Sequence, residues 1–153
     1  MNKTLNVLIT GAAGTMGQAV SQSFAGDHYR LVMVDVDDAR VREAATQFGQ
    51  RAHAYSFDIS NYAAVQEAMG RIQREVGDID ILVNNAGILS NHKALETTPE
   101  EWHQVLSVNV DGAFYLSQAV IPAMREKKWG RIINVASFAA KSGGITAGTA
   151  YSV

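Results

Sequence analysis

Short apolar runs of strand length alternate with helix-period segments from one end of this chain to the other, and few folds accept that alternation. A strand joined through a helix to the next strand closes onto a parallel sheet by a right-handed crossover, with helices covering both faces. The apolar runs predict strands at Asn6–Thr10, Leu31–Asp35, Ala52–Phe57, Ile79–Asn84 and Arg131–Ala136. Helices are expected over Thr15–Ala25, Asp38–Phe48, Asn61–Val76 and Pro99–Lys127. In the third helix Val65, Met69, Ile72 and Val76 recur at helical spacing, so that face belongs to the core. Thr98, Pro99, Glu100 and Glu101 fix the start of the fourth: an N-cap, a proline at the first helical position and acidic residues in the first turn. The expected class is therefore α/β, a doubly wound parallel sheet in strand order 3-2-1-4-5, as one domain over residues 1–153.

Composition narrows the function classes. With 47% hydrophobic and 18% charged residues, the chain of 153 residues can bury a core and is not a disordered segment. A net charge of −2 with scattered basic residues leaves no electrostatic footprint for nucleic acid. Arg125-Glu126-Lys127-Lys128 reads as the solvated last turn of a helix. The absence of cysteine excludes disulfides, thiolate catalysis and cysteine-based zinc sites, and no residue is assigned to a metal. The apolar run after Met1 has strand length and lacks the form of a signal peptide, and no stretch approaches the ~18 apolar residues of a membrane span. A soluble cytoplasmic protein with no membrane partner is expected.

The first strand ends in Thr10-Gly11-Ala12-Ala13-Gly14-Thr15-Met16-Gly17 and runs directly into a helix. Glycines let a backbone approach a pyrophosphate, and the helix N-terminus supplies N–H groups and a favourable dipole. Gly11, Gly14, Thr15, Met16 and Gly17 are thus candidate cofactor contacts. The spacing is neither the Gly-x-Gly-x-x-Gly dinucleotide fingerprint nor a P-loop, which disfavours a nucleoside triphosphatase. Asp35, at the end of the second strand, stands where a carboxylate can accept hydrogen bonds from an adenosine ribose. Its charge would repel a 2′-phosphate, Asp37 and Asp38 add to it, and the glycine loop holds no basic residue. NAD is therefore favoured over NADP.

Asn84-Asn85-Ala86-Gly87 closes the fourth strand, and Gly130–Ser137 reads as a buried strand ending in a hydroxyl, followed by a small-residue loop and Tyr151. Taken in order with Thr10–Gly17, Asp35, Asp58-Ile59 and Asn109, these motifs resemble the short-chain dehydrogenase/reductase family over the full chain. The resemblance implies a Rossmann-like fold and alcohol/ketone interconversion by hydride transfer on a small molecule. It implies that Asp58 and Ile59 bracket the adenine, while Asn85, Ala86 and Gly87 line the cofactor. Ser137 would orient the carbonyl, Tyr151 would carry the proton, and Asn109 would serve the proton relay. The glycine-loop spacing is closer to the family's extended branch, which includes nucleotide-sugar epimerases, whereas Asn-Asn-Ala-Gly belongs to its main branch.

A free phenol titrates near ~10, so roughly one in a thousand is ionised at neutral pH, and the family corrects this with a lysine four positions beyond the tyrosine. That position lies past Val153, and Lys141 reads as solvent-facing within a flexible loop, Lys141–Thr149. The expectation is a chain shortened relative to the family and without normal turnover. Its fifth strand, with Ile132, Ile133 and Val135, would form an exposed edge, and homo-oligomers through that edge or through a helix face of Trp102, Leu106, Phe114 and Val120 are expected. The alternative reading is a noncatalytic dinucleotide-binding or interaction module.

Overall fold

A strand with a continuous apolar run needs cover on both faces, and β1 (Leu5–Thr10) is such a strand: Val7, Leu8 and Ile9 are completely buried. In the computed structural model, which describes residues 4–143 and 147–153, β1 lies at the centre of a five-stranded parallel sheet. Its neighbours are β2 (Tyr29–Asp35) and β4 (Ile81–Asn84), with β3 (Ala52–Ser56) and β5 (Arg131–Asn134) outside them. The order is β3-β2-β1-β4-β5, as the alternation of elements requires. Val7 lies level with Leu31 and Ile81, and Ile9 with Met33 and Val83.

Successive side chains of a strand point to opposite faces, so each face carries its own core. Val7, Ile9, Leu31, Met33, Ile81 and Val83 pack with Val41 and Ala44 of α2 (Asp38–Thr46), and Val20 of α1 (Thr15–Ser23) adds to that layer. On the other face Leu8, Val32, Val34 and Leu82 meet Val65 and Ile72 of α3 (Tyr62–Glu75). Leu116, Val120 and Met124 of α5 (Gly112–Lys127) complete this second core, and Met69 and Val76 extend the expected apolar face of α3. Local chemistry starts the helices: Asp37 caps α2, Asn61 caps α3, and Thr98 caps α4 (Pro99–Leu106) by accepting from the Glu101 amide.

Several boundaries differ from expectation. The fourth helix is not one uniform α-helix over Pro99–Lys127, because a π-helical turn at Ser107–Asp111 separates α4 from α5. Side-chain bonds made by Asn109 hold that turn in place. Helix α1 ends at Ser23 rather than Ala25, and α2 at Thr46 rather than Phe48, where a 3-10 turn at Gly49–Arg51 leads into β3. β4 begins at Ile81, since Asp80 before it is committed to the sheet end, and β5 stops at Asn134. The expected loop after Ser137 opens with a helical turn, α6 (Ala139–Ser142), in which Lys141 is exposed; Gly144, Ile145 and Thr146 lie outside the described residues.

β5 is not buried. It forms an edge of the sheet, with Ile132 36%, Ile133 45% and Val135 42% exposed. The helix face expected to associate is not a continuous exposed surface either: Val120 is in the core, Trp102 and Leu106 are half-buried, and only Phe114 projects into solvent.

At the opposite end of the strands a buried polar latch ties four elements together. The carboxylate of Asp80, which is 2% exposed, accepts from the Asn6 amide at 3.0 Å and from Lys127 Nζ at 2.8 Å. Its backbone bonds to both Asn6 and Arg131. Lys127 is thus not a solvated end-of-helix charge, as its basic run suggested; α5 turns it inward onto Asp80 and Asp78. Removing one partner of such a charge-assisted pair strands the other in a poorly solvated place. Lys127→Met is expected to lower stability by about 1.5–3 kcal/mol in urea unfolding; an unchanged midpoint would show that Asp80 does not depend on the Lys127 ammonium.

Candidate functional site

The carboxyl ends of β1 and β4 diverge into different loops at the switch point of the sheet, and one side chain stitches them together. Thr10 Oγ1 accepts from the Asn85 amide at 3.0 Å and from the Ala86 amide at 2.9 Å. Asn85 returns the contact, its Nδ2 donating to Thr10 O at 2.9 Å. The closeness this demands explains Gly11: it has φ +62, and a Cβ there would lie 2.9 Å from Ala86 Cα. Asn85 and Ala86 are therefore held against the glycine loop, as the sequence implied, with Gly87 beside Asn109, where a Cβ would lie 3.3 Å from Oδ1.

Gly17 permits the second close approach. A Cβ at Gly17 would stand 2.1 Å from Gly11 O, so α1 can begin this near to β1 only with glycine there. Unlike α2, α3 and α4, α1 starts without a side-chain cap, and its first turn holds no acidic residue; Gly14 is its N-cap. Its first-turn N–H groups and dipole face the loop, and Thr15 and Met16 are exposed there. This cradle of small residues at an uncapped helix start fits a dinucleotide's pyrophosphate.

At the end of β2, Asp35 Oδ2 accepts from the Ala13 amide at 3.0 Å and Oδ1 from the Asp37 amide at 3.2 Å. Each carboxylate oxygen has more than one lone pair, so both can also accept from ribose hydroxyls. Arg40 reaches the same loop, with Nη2 3.4 Å from Ala13 O. Sequence spacing placed no basic residue in the loop, and the first turn of α2 brings this one to it. Asp58 and Ile59 part company: Asp58 is exposed and its Oδ1 holds Ser60, whereas the Ile59 side chain is buried in the core. A Cβ on Gly112 would be 2.7 Å from Ile59 Cγ1, so Ile59 packs under α5 and offers a ligand its backbone rather than its side chain.

The Asn109 side chain forms a two-point clasp, Ile88 N donating to Oδ1 at 2.8 Å and Nδ2 donating to Ile88 O at 3.0 Å. These tertiary bonds offset the poor helical propensity of asparagine, and the π-turn around it re-spaces the backbone carbonyls. Asn109 lies on the wall of an open cleft of about 830 Å³ with Met16, Asn85, Ala86, Gly87, Ser137 and Tyr151. Ser137 Oγ accepts from the Ala139 amide at 3.1 Å, which fixes the oxygen and leaves its O–H to donate. The expected site residues therefore converge, except for Gly11, Gly14, Thr15, Gly17, Asp35 and Asp58, which lie along the loops leading to the cleft, and the inward-facing Ile59.

Two features were missed in the sequence. Thr10 is the keystone of the switch point, and only its position directly before a glycine turn marked it. A polar group of Asn84, Asn134 and Ser117 forms the floor of the cleft, with Asn84 Nδ2 donating to Asn134 Oδ1 at 2.8 Å. Asn84 Oδ1 is, among the described residues, a buried oxygen with no hydrogen-bond donor.

A family model described as short chain dehydrogenase matches residues 5–153. Human 17-beta-hydroxysteroid dehydrogenase 13 is 36% identical over 140 residues, covering 90% of this chain and 47% of that protein. NADP-dependent 3-hydroxy acid dehydrogenase YdfG of Escherichia coli K12 is 32% identical over 134 residues, covering 87% of this chain and 54% of that one. A short-chain dehydrogenase from Streptomyces avermitilis superposes with a TM-score of 0.90 at 25% identity, over 99% of this chain and 56% of that one. The chain spans about half the length of the curated relatives it matches.

Replacing the keystone tests the geometry without adding bulk. Thr10→Val keeps the shape and leaves the Asn85 and Ala86 amides without their acceptor, a loss of about 2–3 kcal/mol in chemical unfolding. A change below about 0.5 kcal/mol, the size of an ordinary surface substitution, would mean that the stitch is not needed.

Proposed function

Because this chain belongs to the short chain dehydrogenase family, we propose that it forms the cofactor-binding and proton-transfer part of an NAD-dependent oxidoreductase that interconverts a small-molecule alcohol and ketone. The convergence of Ser137, Tyr151 and Asn109 with the Asn85–Gly87 turn on one cleft carries this reading. A bound nicotinamide supplies or accepts the hydride. Gly11, Gly14 and Gly17 admit the pyrophosphate to the start of α1, Thr15 and Met16 flank it, and Asp35 accepts from the ribose. Ser137 donates to the carbonyl oxygen, Tyr151 exchanges the proton with that oxygen, and Asn109 orders the turn on which the cofactor lies.

None of the described residues lining the cleft is charged; Leu89, Phe138, Ala140 and Val153 make its outer wall apolar. Self-association through the exposed edge of β5 and a cytoplasmic location belong to the same proposal. No helix among the described residues is long and apolar enough to cross a membrane.

A second reading, NADP as the cofactor, draws support from Arg40 beside the glycine loop and from the NADP-dependent relative. Calorimetric titration separates the two. NAD is expected to bind at least about tenfold (~1.4 kcal/mol) more tightly than NADP, and Asp35→Ser to remove that preference. Tighter binding of NADP by the unaltered protein would transfer the recognition role from Asp35 to Arg40.

A further inference from the structure

The cluster of Ser90, His92, Lys93 and Glu101 lies behind the cleft and has no part in the mechanism above. Ser90 is 4% exposed, and its hydroxyl donates to Glu101 Oε1 at 2.6 Å. His92 Nδ1 lies 2.8 Å from Glu101 Oε2, so one carboxylate grips both ends of the turn that follows Ile88. Ser90 first, and His92 after it, hold the Glu101 carboxyl below the usual carboxylate range, which keeps it an anion at neutral pH. Helix α4 delivers that carboxylate from its first turn, where Thr98 caps the Glu101 amide.

The gripped turn in turn holds the segment before Tyr151. The Gly148 amide donates to Ser90 O at 2.6 Å, the Thr149 amide to His92 O at 2.9 Å, and Lys93 Nζ to Ala147 O at 2.7 Å. The fit admits no side chain, since a Cβ on Gly148 would lie 2.7 Å from Ser90 O, Ser90 Oγ and His92 O. Ala147 and Ala150 are buried against it, and Ser152 closes the turn around Tyr151 through bonds to Gly148 O and Thr149 O. The segment is therefore anchored on its amino side to one loop by two backbone hydrogen bonds and one from the Lys93 side chain, rather than free as a glycine-rich sequence suggests.

From this geometry we infer that Glu101 is a positioning residue for Tyr151, acting through Ser90 and His92 on the Ala147–Thr149 segment to aim the phenol into the cleft. The inference rests on the reading of Tyr151 as the proton-transfer group, but its structural content can be measured without turnover. Among the described residues the Glu101 carboxylate is hydrogen-bonded to Ser90 and His92, neither of which is proposed to hold cofactor or substrate, so its loss should alter the tyrosine's position and leave the dinucleotide cradle intact.

The test uses the 153-residue protein labelled at the tyrosine ζ-carbon, with Tyr151→Phe to assign the resonance and amide exchange to follow Gly148 and Thr149. In Glu101→Ala the Tyr151 signal should shift and both amides should exchange at least about tenfold faster, while the signals of Tyr29, Tyr55, Tyr62 and Tyr115 stay in place. Glu101→Gln, which keeps an acceptor for the Ser90 hydroxyl, should restore most of the protection. Lys93→Met removes the bond to Ala147 O while leaving Glu101 in place and should produce a smaller change of the same kind, which keeps the test decisive if Glu101→Ala unfolds. An unmoved Tyr151 signal with unchanged exchange in the folded variants would overturn the inference. NAD added to the same samples reads the cofactor proposal separately: with no binding at all that proposal fails, and the Tyr151 signal still decides for or against the clamp.

Discussion

A single hydroxyl joins the two strands between which this sheet opens. Thr10 Oγ1 holds the Asn85 and Ala86 amides, and the Asn85 side chain binds back to the Thr10 carbonyl. Two loops that the parallel topology would otherwise send apart are thereby locked together. Everything on the carboxyl side of the sheet inherits that spacing. Gly11 has its left-handed backbone because Ala86 stands against it, Gly17 has no side chain because Gly11 stands against it, and α1 then starts beside Asp35. The cradle is a chain of close approaches, each of which leaves no room for a Cβ.

A second series of contacts runs from the same turn toward the reacting groups. Gly87 rests on Asn109, Asn109 clasps Ile88, and two residues on, Ser90 passes the constraint to Glu101 and to the segment bearing Tyr151. The turn after β4 thus serves both halves of the site: one side faces the glycine loop, the other holds the tyrosine. The π-turn at Ser107–Asp111 is the local irregularity that makes this possible, placing the Asn109 amide opposite Ile88.

How far the sequence revealed this depends on the range of each interaction. The sheet order followed from strand length and alternation, and the cap at Thr98 followed from residues adjacent in sequence. The glycine loop was legible because close backbone approach explains its small residues, and the Asn84–Gly87 turn through its resemblance to a family motif. Side-chain destinations across the fold were not. Ile59 reads as a loop residue and lies in the core; Lys127 reads as solvated and meets buried Asp80; Arg40, from α2, arrives at a loop that contains no basic residue of its own. The π-turn escaped notice because the hydrophobic pattern of Pro99–Lys127 remains helical through it, and the clamp because Ser90, Glu101 and Gly148 are brought together only by the fold.

Binding of a dinucleotide across the β1–β4 opening can be mapped residue by residue from amide resonances as NAD is added to the labelled protein. The amides of Gly11, Gly14–Gly17 and Asn85–Gly87 should shift together and saturably, while those at the other end of the sheet around Asn6 and Asp80 stay fixed. Shifts confined to that far end, or no shift with either NAD or NADP at millimolar concentration, would contradict a cofactor site at this switch point.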